Sequence, residues 1–232
     1  MEEAIKEFEL QGVDLGDIDK TYAGPDGRGE HPATIATKEY VVAVERDPMV
    51  PADVAAAGEA LRRAAGGDAA VPGWAMAVAN AGGVHAGMLA VTKCVASCAT
   101  GGGDSSSLAG ASLIDACKTL AAVLGCDEGR DTFALLKFPM AFIADVVPAC
   151  VSLGPQGVEA AAGVIAAAST KNEACKGAFV KASAEKPLVA VFREHTDGAA
   201  LRAACAAVRA LTTGTLPRSR RCLLRLCKHQ TV

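Results

Sequence analysis

Apolar positions in the second half of the chain recur at helical spacing, and the blocks that carry them recur in turn. Three blocks read IDACKTLAAVL (114–124), VEAAAGVIAAA (158–168) and LRAACAAVRALT (201–212). Setting Leu120, Ile165 and Val208 as equivalent gives spacings of 45 and 43 residues. That period lies in the ~40–47 residue range of arrays built from two or three helices per unit. Two further helical patterns follow the first block, at 129–137 and 138–153, and two follow the second, at 172–183 and 187–195. The same three-part grammar stands upstream at 52–67, 74–83 and 84–98, with Leu61 as the earlier equivalent of Leu120. That step is 59 residues, and the excess falls on TGGGDSSS (100–107), a loop by its glycines and serines. Pro187 fits the first turn of a helix, where a missing N–H costs nothing. Pro148 lies inside an apolar helical run and predicts a kink or a split.

Composition fits stacked helices. Hydrophobic residues make up 51% of the 232, but aromatics only 4%, and much of the apolar content is Ala. Alanine favours helix and lets helices approach closely while burying little area per residue. The first 50 residues carry 12 acidic and 5 basic side chains, a net of −7; residues 214–232 carry five basic and no acidic ones. Between them the chain is near neutral, so the main domain lacks a nucleic-acid footprint. The nine cysteines sit mostly among Ala and Val and read as reduced core residues of an intracellular protein. The opening MEEAIKEFEL is acidic where a signal peptide needs basic then apolar residues. No uninterrupted apolar run reaches the length of a membrane span.

The units resemble armadillo repeats, and two stretches narrow the likeness. EEAIKEFELQGVDLGDIDKT (2–21) is similar to the acidic leader of the armadillo repeat-containing protein 6 family, and NEACKGAFVKA with REHTDGAALRAACAAVRALT (172–212) resembles a repeat from its middle. The resemblance implies an all-α fold, an armadillo-type right-handed superhelix of three to four units. The pattern stops at Thr213, after the first helix of a unit, so the last repeat is expected to be incomplete. The ending GTLPRSRRCLLRLCKHQTV departs from the family. The domain reading is an acidic segment and linker at 1–48, with a short helix early in it, a repeat domain at 49–213 and a basic tail at 214–232.

No catalytic motif stands in the chain. There is no GxSxG, HExxH or GxxxxGK[ST], and Gly101–Gly103 is followed by no Lys–Ser/Thr pair. The four histidines are scattered and read as surface or helix-end residues. Cys94 and Cys98 share a helix face, but a structural zinc needs four ligands. The chain is therefore expected to be no enzyme and to hold no metal or cofactor.

In armadillo folds the third helices line a concave groove. Here those are 84–98, 138–153 and 187–195, whose candidate partner-binding charges are Lys93, Asp145, Arg193 and Glu194. Importin-type arrays resemble this fold but carry Asn and Trp ladders there; these helices have no Asn, and Trp74 lies outside them. The expected function is a scaffold holding a protein or peptide segment in the groove. The alternatives are a karyopherin-like peptide carrier and an enzyme of unrecognised type. The expected address is the cytoplasm, with the nucleus as a second one. The basic tail leaves three readings open: an acidic-membrane contact, a nuclear address or a non-native ending. The apolar last helix predicts self-association, tail docking or marginal stability.

Overall fold

The chain was analysed as a computed structural model that describes residues 30–65, 73–101 and 107–213. Within those residues every regular element is helical, eleven helices in all: α1 Pro32–Glu45, α2 Pro51–Ala65, α3 Trp74–Asn80, α4 Gly83–Gly101, α5 Leu108–Val123, α6 Asp127–Leu135, α7 Phe138–Ser152, α8 Pro155–Ser169, α9 Glu173–Lys181, α10 Glu185–Glu194 and α11 Gly198–Thr212. Local chemistry sets the starts. Pro32 and Pro155 stand at first helical positions, where a ring without N–H is tolerated. Ser107, Asn172 and Asp197 turn side-chain oxygens onto exposed N–H groups of α5, α9 and α11. Cys126 caps α6 with its sulfur, 3.3 Å from the Gly129 nitrogen.

The helices pack in three rows. α2, α5, α8 and α11 stack one on the next; α3, α6 and α9 form a second row. In the third, α1 packs on α4 and α4 on the middle of α7. The first row carries the core. Leu61, Leu120 and Ile165, equivalent by spacing, are all buried, and each contributes about 2–3 kcal/mol by leaving water. Val208, the fourth equivalent, is half-buried. Phe133 of α6 meets Phe138 of α7 edge-on at 5.5 Å and Phe179 of α9 at 6.3 Å, tying α6 to the third row and to the next helix of its own row. This is an arrangement compatible with an α-solenoid.

Two features bear on the sequence expectation. The stretch assigned to a leader and linker contains α1, whose Ala33, Thr37, Tyr40 and Val44 are buried against α2, α3 and α4. The α1 sequence has β-branched and acidic residues in place of an alanine run, which hid its helical period. At Pro148, where the sequence predicts a kink or a split, α7 is interrupted: α-helix at Phe138–Ala141 and at Val147–Ser152 is separated by a five-residue π segment. The π turn at Phe142–Val146 precedes the proline, and in it the Val147 N–H donates to the Phe142 carbonyl. The widened turn makes room for the ring, which in a regular helix would press on the carbonyl four residues back.

The early short helix, the 22–29 portion of the linker, most of the 100–107 loop and the basic tail lie outside the described residues. Among the described residues, no single helix is long and apolar enough to cross a membrane.

Candidate functional site

The third row is not closed. Between α7 and α10 it opens into a groove of about 660 Å³. One wall is a stripe of α7, Ile143, Val147 and Val151, spaced four apart and so on one face. The other is a stripe of α10, Pro187, Ala190 and Val191. The α9–α10 corner, Ala182 and Ser183, closes one end; Ser183 holds a positive φ of 60° to make that turn. Polar groups sit at the margins: Lys186, Glu194, Ser152 and His195. The π turn and Pro148 belong to the α7 wall. Such turns recur at functional sites because they shift side chains out of helical register.

The four charges read from sequence separate into three situations. Glu194 lines the groove. Asp145 and Arg193 are exposed on the same two helices but outside the lining, and among the described residues neither has an ion-pair partner. Lys93 is spent elsewhere. Its Nζ donates to the carbonyls of Val44 at 2.8 Å and Arg46 at 3.3 Å, at the end of α1. A cation there satisfies orphan carbonyls and complements the helix dipole. Two further cations do the same work while almost fully buried. Arg130 donates to the Leu124 carbonyl at 3.1 Å and pairs with Asp127; Lys176 donates to the Thr213 carbonyl and to Glu173.

The groove's apolar lining was missed in sequence. Ile143, Val147 and Val151 have helical spacing, but an apolar stripe reads alike whether it faces a core or a groove. His195 was legible only as a helix-end residue, which it is, following α10.

The cysteines offer another possible chemistry. Seven are free among the described residues, and Cys117 Sγ lies 3.9 Å from Cys150 Sγ. The contact with Cys150, and then burial, holds the Cys117 thiol well above its ordinary range. Burial, with Cys98 adding, pushes Cys94 up to about 12. Such thiols stay protonated and are poor nucleophiles and poor ligands. No group of three or more His, Cys, Asp or Glu side chains among the described residues is arranged to hold a metal. The groove is apolar along its walls and sparsely charged at its rim. No family model matches this chain, and no curated protein or solved structure does either.

Proposed function

We propose that the chain is a non-catalytic interaction scaffold, an armadillo-type α-solenoid akin to the armadillo repeat-containing protein 6 family, that holds a segment of another protein in the groove between α7 and α10. The observation that carries this reading is the groove itself: third-row helices pack on one another upstream but stand apart here, leaving Ile143 and Val151 half-buried on one wall and Pro187 and Ala190 on the other. Concave and mostly apolar, with a few placed polar groups, is the character of a binding cleft. A bound segment would bury apolar side chains on Ile143, Val151 and Ala190 and set its polar groups against Lys186 and Glu194. The lining favours this over a karyopherin-like carrier, because its one acidic residue, Glu194, shares the rim with Lys186.

The test is capture from cells with the full chain, beside Val151→Asp/Ala190→Asp and beside Lys93→Met. A partner held by the parent and by Lys93→Met but lost from the groove variant supports the proposal. Equal capture by all three sinks it.

A further inference from the structure

Each first-row helix between the ends of the array has a first-row neighbour on both sides; among the described residues α2 and α11 have one on one side only. The contact between α2 and α5 gives the pattern of such a junction. Arg62 of α2 reaches forward, its Nη1 2.7 Å from Thr119 Oγ1 and 3.2 Å from the Asp115 carbonyl; Nη2 lies 3.7 Å from the Asp115 carboxylate. Gly58, one turn earlier, lets the two helices close up: a Cβ there would meet Thr119 Oγ1 at 2.8 Å.

The forward face of α11 repeats this pattern. Arg62 follows Leu61 directly, and Arg209 follows Val208, the aligned residue. Cys205 falls on the register position of Gly58. Arg202, Cys205 and Arg209 are exposed, and neither arginine has a carboxylate partner among the described residues. The backward face of α2 is the counterpart. Its exposed stripe is Ala52, Ala56, Glu59 and Arg63, with Asp53 beside it; within the chain Glu59 pairs with Arg62 at 2.8 Å and Arg63 at 3.5 Å, and Asp53 pairs with Arg46 at 2.5 Å. Ala56 and Ala60 hold the register positions of Asp115 and Thr119, and Glu59 stands next to Ala60. In the third row, α1 presents Ile35 and Val42, 43% and 57% exposed, flanked by Glu39 and Glu45, neither of which has an ion-pair partner among the described residues.

We infer that the α11 face is a docking surface for the α1–α2 face of a second copy of this chain, which continues the first row head to tail. Arg202 and Arg209 of one copy meet Asp53 and Glu59 of the next, sharing these exposed carboxylates with the Arg46, Arg62 and Arg63 that pair with them inside that copy, and the small residues between them let the helices approach. The contact is heterologous, so it produces dimers and then longer chains unless the rotation closes. Charge decides against the chain's own ending as occupant. Residues 214–232 carry Arg218, Arg220, Arg221, Arg225 and Lys228 and no acid, the same sign as the α11 face. The inference does not depend on the groove, which lies between other helices.

The experiment is sedimentation of the full chain in reductant over a wide concentration range, so that no disulfide through Cys205 contributes. The weight-average mass should rise above 23.4 kDa as concentration increases. Arg202→Glu/Arg209→Glu should weaken association about a hundredfold, since it sets like charges opposite one another. Asp53→Lys/Glu59→Lys should do the same. An equimolar mixture of the two variants should associate again, because the reversed ends then match; unchanged helical circular dichroism keeps loss of fold from imitating the result. A monomer at every concentration overturns the inference, as does a mixture that stays monomeric. Association that survives both reversals but disappears on deleting 214–232, or on deleting 1–29, overturns it too and assigns the face to the tail or the leader.

Discussion

At the scale of single residues, a charge that looks available in sequence can already be occupied. Lys93 was a candidate for partner binding because it sits on a third-row helix, yet its ammonium closes the end of α1 by bonding to carbonyls 49 and 47 residues earlier. Nothing in the local sequence distinguishes a solvated lysine from one spent on a distant helix end; only the tertiary approach of α1 to α4 does. Lys93→Met keeps much of the stem and removes the ammonium. It should lower stability by about 1–2 kcal/mol, the usual cost of losing hydrogen bonds to a charged group. Chemical denaturation measures this directly. Unchanged stability would mean that water replaces the ammonium at no cost. Asp145, Arg193 and Glu194 remain available: all three are exposed, and among the described residues none has an ion-pair partner.

At the scale of elements, helix type and order were legible because alanine-rich blocks with caps leave little alternative, and the repeat spacing set their sequence. The structure moves most ends by only a few residues. What was not legible depends on neighbours. α1 was hidden by a mixed composition, although its buried positions follow helical spacing once the face is known. The groove walls were hidden because apolar stripes do not declare which surface they face. Helix approach is a further property of this kind, and two glycines of α8 test it. A Cβ at Gly157 would lie 2.0 Å from the Cys150 carbonyl of α7, whereas one at Gly163 would meet nothing within 4 Å. Gly157→Ala should therefore cost about 3 kcal/mol as α7 and α8 are forced apart. Gly163→Ala should stabilise by about 0.5–1 kcal/mol through helix propensity alone. Thermal melts of the pair should move in opposite directions. A shift of the same sign in both would mean that propensity, not approach distance, governs α8.

At the scale of the whole molecule, the stacked rows gather thiols into the interior, and this couples stability to alkaline pH. Burial pushes Cys94 and Cys175 up to about 12, from an ordinary value of 9.0, and Cys117 also lies well above that value. Burial likewise raises the Tyr40 phenol. The sign follows from proton counting. Above about pH 9 the unfolded chain releases these protons while the folded chain keeps them, so rising pH favours unfolding. The thiol contribution to stability is intact below pH 9 and is lost progressively as pH climbs towards 12. For Cys94, which is only 1% exposed, the slope inside that window approaches about 1.4 kcal/mol per pH unit. Urea midpoints should accordingly hold steady from pH 7 to 8.5 and fall steeply from 9 to 11. Cys94→Ala should flatten the fall while lowering the plateau, because it removes a titrating group and leaves a small cavity. The two effects separate on one plot, since the cavity shifts the curve and the lost proton changes its slope. A variant curve parallel to the parent above pH 9 would show that Cys94 ionises in the folded chain as it does in the unfolded one. The interior beside α5 would then be open to water, in conflict with the packing of α4 and α5 around it.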